Sequence, residues 1–289
     1  MTPFELAEPG SLREAVAMLD PDDPTVRPVA GGTALMLMMK AGVFAPSRLV
    51  SLQRIESKYA DIAVAKDGGL QIGAMATLAA LERNKAAMAA FPVLAQTLLR
   101  LSNIRVRNVA CVGGALAHGD PHMDLPPVLA ALGAKVSIVG SDGSREAAVE
   151  DLYTGYYETV IGRNELIADV SVPALGGRKA AYAKVTARSA DDWPALGLAV
   201  SFKADGDTLS DVRVVASAAT AMVTRLAETE AILNGARADD ATLKKAGDAA
   251  AAEAPVLGDL RGSAAYKREL LRVYVGRAVR HALSGKPAH

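Results

Sequence analysis

The sequence has little cysteine and no excess of charge of either sign. Its single cysteine, Cys111, excludes an internal disulfide and cannot supply the four thiolates that an iron–sulfur cluster normally needs. Lysine plus arginine and aspartate plus glutamate number 32 each, so no global basic field attracts nucleic acid or an anionic membrane. We therefore expect no nucleic-acid partner, and we expect any iron–sulfur cluster to belong to another chain.

Long apolar runs are also missing. The N-terminus reads Met-Thr-Pro-Phe-Glu and lacks the basic and apolar regions of a signal peptide. The most apolar early stretch is interrupted by glycines and by Lys40, well short of the length that crosses a bilayer. These features predict a cytoplasmic protein with no integral membrane segment.

Motifs of several common enzyme classes do not occur. The sequence contains no Gly-x-Ser-x-Gly nucleophile elbow, no His-Glu-x-x-His zinc motif and no convincing catalytic triad. One cluster, His118, Asp120, His122 and Asp124, has side chains that could bind a metal. The glycine and proline between them disfavour a regular ligand geometry, and no further ligand from a distant part of the sequence is evident. We therefore assign no catalytic residue and no metal site.

Two glycine pairs are the most informative feature that is present. One lies in Val29-Ala-Gly-Gly-Thr-Ala-Leu35 and the other in Cys111-Val-Gly-Gly-Ala115, each after an apolar run and before a helix-like stretch. Glycine lets the backbone approach a ligand and present successive amide hydrogens to an anion. Neither loop has the Rossmann or P-loop spacing, and a bare glycine pair is often only a tight turn. Two such loops together suit a diphosphate.

The chain of 289 residues is 51% hydrophobic, enough for two or three compact units. Strands and helices mix without strict alternation, which predicts an α+β fold with units at residues 1–57, 58–175 and 178–289, the last two separated by a glycine-rich linker at 173–177. Predicted strands lie at residues 27–30, 48–52, 62–65, 70–74, 135–139, 166–172, 181–186, 195–202 and 209–216. Predicted helices follow a capping box at Ser11 and lie at residues 34–40, 77–90, 93–101, 128–132, 225–233, 240–252 and 265–283.

Beyond these local patterns, the ordered motifs resemble a known family. Ala30-Gly-Gly-Thr33 and residues 104–126 are similar to the two FAD-binding signatures of the medium subunits of molybdenum hydroxylases, the xanthine dehydrogenase and carbon monoxide dehydrogenase family. The resemblance also includes residues 4–15, the segment Glu165-Leu-Ile, and residues 182–192, so it covers nearly the whole chain. It implies a two-part PCMH-type, vanillyl-alcohol-oxidase-like FAD-binding domain followed by a smaller α+β domain in which helices cover a sheet.

The resemblance also implies which residues contact FAD. Carried over position by position, they are Val29, Ala30, Gly31, Gly32, Thr33, Ala34, Leu35, Leu101, Cys111, Val112, Gly113, Gly114, Ala115, Asp124, Ile167, Lys184 and Trp193. From the sequence pattern alone, Leu101 and Ile167 also fit core positions, Asp124 a helix N-cap and Lys184 a solvated strand edge. We hypothesise that Trp193 stacks on the isoalloxazine, against a plain packing role.

Two positions depart from the family pattern. The family often has threonine or serine where Cys111 stands and asparagine where Ala115 stands, so one hydroxyl and one amide contact are missing. This departure puts the affinity for FAD in question but leaves the site in place. Cys111 is better explained as a small packing residue than as a redox thiol, since no second cysteine could resolve it.

The function implied by the resemblance is electron transfer. The chain would carry FAD and pass electrons from two [2Fe-2S] clusters in a small partner subunit to NAD, a quinone or oxygen. A large molybdopterin subunit would complete a heterotrimer, paired into a heterohexamer. Two alternatives stay open: a self-sufficient FAD-dependent oxidase or reductase, and a flavin-free structural subunit. The substrate of the holoenzyme is not encoded in this chain.

Overall fold

The computed structural model describes residues 2–285 and has three main β-sheets with helices packed on them. The predicted α+β class is therefore confirmed. Met1 of the first predicted unit and residues 286–289 of the third lie outside the described residues.

The first sheet is small and parallel. Its strands are β1 (Glu5–Ala7), β2 (Val26–Val29) and β3 (Arg48–Ser51), in the order β1-β3-β2. Helices α1 (Leu12–Ala17) and α2 (Leu35–Lys40) connect the strands. The Oγ of Ser11 accepts a hydrogen bond from the Glu14 amide at 3.1 Å, as the capping box predicts, while Glu14 itself binds the Gly10 amide. This sheet leads the chain directly from β2 into the first glycine loop.

The second sheet is antiparallel, and a two-stranded ribbon precedes its central strand. The strands of the sheet and the ribbon are β4 (Ile62–Val64), β5 (Leu70–Gly73), β6 (Lys135–Gly140), β7 (Gly143–Ala148), β8 (Tyr153–Gly155), β9 (Glu158–Thr159) and β10 (Leu166–Val172). The order in the sheet is β4-β5-β10-β6-β7, and the ribbon is β8-β9.

Six helices fill the long connection between β5 and β6. They are α3 (Leu78–Arg83), α4 (Lys85–Ala90), α5 (Pro92–Arg100), α6 (Ile104–Arg107), α7 (Val112–Ala117) and α8 (Leu125–Ala131). The single helix predicted over residues 77–90 was wrong, because Asn84 ends one helix and caps the next. The helix predicted over 128–132 begins earlier, since a helix tolerates proline in its first turn, where the missing amide has no partner to lose.

The third sheet is antiparallel, and three helices complete this part of the chain. The elements are β11 (Lys179–Val185), β12 (Leu196–Asp205), β13 (Thr208–Ser217), β14 (Thr224–Arg225), α9 (Ala227–Leu233), α10 (Asp240–Glu253) and α11 (Ala264–Ser284). The order in the sheet is β11-β12-β13-β14. The helix predicted over residues 225–233 starts later, because Arg225 still pairs with Val215 in the sheet.

The second and third sheets share one hydrophobic core. Every residue of α8 is buried, because the helix packs on β12 and β13 as well as on α5 and α7. Tyr182, Ala199, Val215 and Val223 from the third sheet join the apolar cluster of the second. This shared core brings Tyr182 and Lys184 of β11 next to Asp124, at the start of α8. Across residues 2–285, no helix is both long and apolar enough to span a membrane.

Candidate functional site

A cleft of about 900 Å³ lies between the first and second sheets, and both glycine loops face it. All but two of the residues predicted to contact FAD line this cleft. The two exceptions are Val112, which is fully buried behind the loop, and Lys184, which lines a smaller adjoining cavity of about 360 Å³. The two cavities share Leu101, Asp124 and Trp193 at one end of the cleft.

The first glycine loop forms a cradle of backbone amides. It follows β2, and the chain turns through Gly32, whose φ of 67° is a conformation that glycine adopts without strain. Within the described part of the chain, the amides of Gly32, Thr33, Ala34 and Leu35 donate to no protein acceptor. They lie at the start of α2, where unpaired amides and the helix dipole favour an anion. The loop therefore fits one side of a diphosphate.

Close packing between the two glycine loops explains the first glycine of this pair. A Cβ on Gly31 would lie 2.1 Å from the carbonyl oxygen of Val109, so no side chain fits there. Cys111 is buried nearby and its thiol donates to the Val109 carbonyl at 3.5 Å. Burial raises the pKa of this thiol, which suits a packing residue and not a reactive thiolate.

In the second glycine loop, only part of the predicted amide cradle is free. The amide of Val112 donates to the Ala76 carbonyl and that of Gly113 to the Ala74 carbonyl, so neither can bind a ligand. The expectation that Gly113 presents its amide was therefore wrong, because a β-like bridge to the chain after β5 uses it. The Gly114 amide has no acceptor among the described residues, and a Cβ there would meet no atom within 4 Å. Gly114 thus faces open space in the cleft.

Asp124 is held in a buried hydrogen-bond network at the end of the cleft. Its carboxylate accepts from the Tyr182 hydroxyl and from the Lys184 Nζ, both at 2.8 Å. Lys184 also donates to the Arg100 carbonyl at 2.8 Å and is only 6% exposed, so it is not a solvated edge lysine. Although Asp124 stands at the N-cap position of α8, its side chain caps no amide there. The N-cap expectation for its side chain was wrong because the lysine and tyrosine of β11 use both oxygens.

Burial controls the ionisation of this network. It raises the pKa of Asp124, and the charge and hydrogen bond of Lys184 offset only part of that rise. It also raises the pKa of Tyr182 well above its ordinary value, and the Asp124 carboxylate adds to the rise. The pair therefore places a polar, proton-bearing group at the end of the cleft that adjoins the smaller cavity.

Trp193 lies at the same end, between the cleft and the smaller cavity. Its ring stacks on His122 at 5.7 Å between centroids, and the guanidinium of Arg261 lies 4.7 Å from its centroid. Trp193 is still 44% exposed, so a face or edge of the indole reaches the open space. The ring is thus positioned by protein contacts and also borders the cavity.

The four residues of the cluster at 118–124 point in different directions. His118 packs edge-on against Tyr157 in the cleft, and burial lowers its pKa. The His122 ring lies between Asp120, 2.8 Å from Nδ1, and Asp259, 2.9 Å from Nε2. Throughout residues 2–285, no three histidine, cysteine or acidic side chains come together as metal ligands would.

Two cleft residues, Arg27 and Arg163, were not predicted from the sequence. Arg27 lies on β2, two residues before Val29, and strand alternation puts both on the face that borders the cleft. Arg163 lies in the turn before β10. Alternation could have indicated Arg27, but no local pattern relates Arg163 to this site.

Comparison with known proteins identifies the family. Residues 2–175 match the family model for the FAD binding domain in molybdopterin dehydrogenase, and residues 180–282 match that for the CO dehydrogenase flavoprotein C-terminal domain. The chain belongs to this flavoprotein family. The predicted resemblance is thereby confirmed.

Individual relatives are similar along their whole length. The chain is 31% identical to the carbon monoxide dehydrogenase medium chain of Hydrogenophaga pseudoflava, covering 96% of each chain. It is 29% identical to the glyceraldehyde dehydrogenase medium chain of Sulfolobus acidocaldarius, covering 95% of this chain and 96% of the relative. A solved structure of carbon monoxide dehydrogenase from Hydrogenophaga pseudoflava superposes with a TM-score of 0.93 at 32% identity, covering 98% of this chain and 99% of that one.

The residues present in the cleft fit FAD. Free amides from two loops meet the needs of a diphosphate, and apolar residues such as Leu101 and Ile167 border the cleft beside them. The chain is an FAD-binding medium subunit of a molybdenum-dependent oxidoreductase, and in this family the molybdenum and iron–sulfur centres belong to partner subunits. The predicted enzyme class and cofactor are confirmed.

Proposed function

We propose that this chain carries electrons between the iron–sulfur clusters of a partner subunit and an external acceptor. Bound FAD supplies the redox chemistry, because a flavin accepts electrons singly and releases them singly or as a pair. The observation that carries the proposal is the cleft itself, which is lined by two loops with unpaired amides. No acid–base pair of this chain is required for that role.

The residues of the cleft have separate tasks in this proposal. The amides of Gly32 to Leu35 and of Gly114 bind the diphosphate. Leu101 and Ile167 form apolar walls for the ring systems. The Asp124 carboxylate, fixed by Tyr182 and Lys184, orients a polar edge of the flavin. Trp193 covers the flavin end of the cleft. Of the three predicted units, residues 1–57 form the first wall of the cleft and residues 58–175 form the second wall. Residues 178–289 form the supporting domain.

The partner chains follow from the family. We propose a large molybdopterin subunit and a small subunit with two [2Fe-2S] clusters, assembled with this chain as a heterotrimer and paired into a heterohexamer in the cytoplasm. The acceptor is NAD, a quinone or oxygen. Substrate oxidation takes place on the large subunit, so substrate specificity does not reside in the cleft described above.

Purification through a tag on this chain tests the proposal directly. We expect the absorbance spectrum of the purified complex to show flavin and iron–sulfur bands, heating to release free FAD, and mass spectrometry to identify a large and a small partner chain. FAD on a lone chain that turns over a small substrate would instead indicate a self-sufficient oxidase. A colourless preparation without flavin would indicate a structural subunit.

Trp193 offers a second, local test, since it is the sole tryptophan of the chain. If its ring stacks on the isoalloxazine, FAD quenches the tryptophan fluorescence on binding, and Trp193→Phe shifts the flavin potential. Unchanged flavin fluorescence and potential in Trp193→Phe and Trp193→Ala would leave the indole only its contacts with His122 and Arg261.

A further inference from the structure

Two of the residues that line the cleft are arginines whose charges are not balanced by carboxylates. Arg27 and Arg163 both line the cleft, and neither forms an ion pair with an acidic residue within residues 2–285. Two carboxylates that line the cleft already have other cationic partners: Asp124 pairs with Lys184, and Glu165 pairs with Arg145. Glu158, the remaining carboxylate of the lining, is exposed to solvent.

Neutral contacts hold both arginines in place. The guanidinium of Arg27 lies 5.3 Å from the centroid of the Phe44 ring, a cation–π contact that positions the group without neutralising it. The Nη1 of Arg163 donates to the Pro21 carbonyl at 3.4 Å, which ties the turn before β10 to the first wall. Partial burial, and then the like charge of Arg163, lower the pKa of Arg27. Guanidinium groups nevertheless stay protonated in proteins, so both arginines keep their positive charge.

The two residues come from opposite walls of the cleft. Arg27 lies on β2, the strand that enters the first glycine loop, and Arg163 precedes β10 of the second sheet. Backbone amides supply partial charges only, whereas a diphosphate carries full negative charge that the cradle leaves uncompensated. An anion between the two arginines would relieve their repulsion and link both walls.

We propose that Arg27 and Arg163 form a two-arginine clamp that binds the diphosphate of FAD and closes the cleft around it. This inference rests on the proposed function, because it concerns the same cofactor. The clamp supplies the charge, and the amide cradle supplies the fixed hydrogen bonds. It also compensates for the contacts that Cys111 and Ala115 do not make.

Ligand affinities of the flavin-free full chain, with any chains that co-purify, test the clamp. The probes are FAD, ADP, which carries the diphosphate without the flavin, and riboflavin, which lacks the diphosphate. In Arg27→Gln/Arg163→Gln we expect affinity for FAD and ADP to fall about tenfold at low salt, and the loss to shrink as salt is raised. Riboflavin binding and the thermal midpoint stay as in the unmodified chain.

Matched variants separate charge from structure. Arg27→Lys/Arg163→Lys keeps the charge and restores part of the affinity, and Arg268→Gln, on the exposed face of α11, changes none of the affinities. The clamp is wrong if the double glutamine variant binds FAD as tightly as the unmodified chain, or if it loses riboflavin and FAD in equal measure. Failure of the unmodified chain to bind any FAD would instead contradict the proposed function.

Discussion

Gly31 and Gly114 both lack a side chain, but their surroundings are opposite. At Gly31 a Cβ would collide with the backbone of Val109, whereas at Gly114 it would enter open space in the cleft. The first glycine therefore serves the packing of the two loops, and the second leaves room for a ligand. A single added methyl group at each position can separate these two roles.

We expect Gly114→Ala to weaken FAD binding without lowering stability. Alanine favours a helix over glycine by about 0.5–1 kcal/mol, so the thermal midpoint holds or rises. Gly31→Ala, by contrast, forces a backbone shift that costs about 1–3 kcal/mol and lowers the midpoint. Scanning calorimetry and FAD titration of both variants check this pair. An unchanged FAD affinity in Gly114→Ala would show that the open space at this position is not used by the ligand.

The buried pair of Asp124 and Lys184 predicts that substitutions at these two positions, which are distant in the sequence, have strongly coupled effects on stability. Lys184→Met leaves a buried carboxylate without its cation, which costs about 3–5 kcal/mol of unfolding free energy. We expect Asp124→Asn/Lys184→Met to be more stable than Lys184→Met alone, because the neutral amide no longer needs the cation. Urea unfolding of the two singles and the double variant measures the coupling. Additive losses would show that the two side chains do not depend on each other.

Among the elements, the helices between β5 and β6 depend most on side-chain contacts that a pattern does not reveal. Thr77 caps α3 where the predicted helix starts, but Asn84 then interrupts the apolar periodicity and accepts from the Ala87 amide at 3.0 Å to start α4. Its amide also donates to the Ile62 carbonyl at 3.3 Å. Asparagine favours such caps because its side chain competes with the helix backbone.

Asn84→Ala removes this cap. We expect a loss of about 1 kcal/mol in the free energy of unfolding, and a smaller loss in Asn84→Asp, which keeps the accepting oxygen. Urea denaturation followed by circular dichroism measures both. Asn108→Ala, an exposed asparagine whose bond to Arg83 is a surface contact, serves as the matched control. Equal stability of Asn84→Ala and the unmodified chain would mean that the break between the helices is set by backbone packing alone.

Local elements and local loops could be predicted from the sequence, and long-range pairs could not. The strand that enters the first glycine loop and the helix that leaves it follow from periodicity, because alternation and turn residues act within a few positions. The contact of Lys184 with Asp124 joins residues 60 positions apart, so no local pattern indicates it. The family resemblance indicated each residue as an FAD contact, but not the pair. Gly113 shows the converse: the motif was recognised, but its amide is used by Ala74, a contact that only the folded chain creates.

At the scale of the whole molecule, the FAD-binding and C-terminal domains are joined by shared core and by polar bridges. Ala218 donates its amide to the Pro121 carbonyl at 2.8 Å, and the Ser201 hydroxyl donates to the Ala131 carbonyl. Asp259 of the C-terminal domain lies 2.9 Å from the His122 ring and 2.7 Å from Lys267. The same region holds Trp193, so the junction of the domains lies at the end of the cleft where we propose that the flavin binds.

The Asp259 bridge predicts how the stability of this junction depends on pH. Burial raises the pKa of Asp259, but hydrogen bonds from Lys267 and His122 outweigh it and bring the pKa to about 2. In the unfolded chain the pKa of an aspartate is about 3.9, so between about pH 2 and pH 4 the unfolded chain binds more protons than the folded chain. The stabilisation that Asp259 contributes is therefore complete above about pH 4 and is lost as the pH falls toward 2. We expect Asp259→Asn to be less stable at pH 7, since Lys267 and His122 lose the carboxylate that they contact, and to lose less stability on acidification. Urea midpoints between pH 7 and pH 3 measure this slope, with the exposed Asp207→Asn as control. An acid slope identical to that of the unmodified chain would show that Asp259 does not couple protonation to the docking of the two domains.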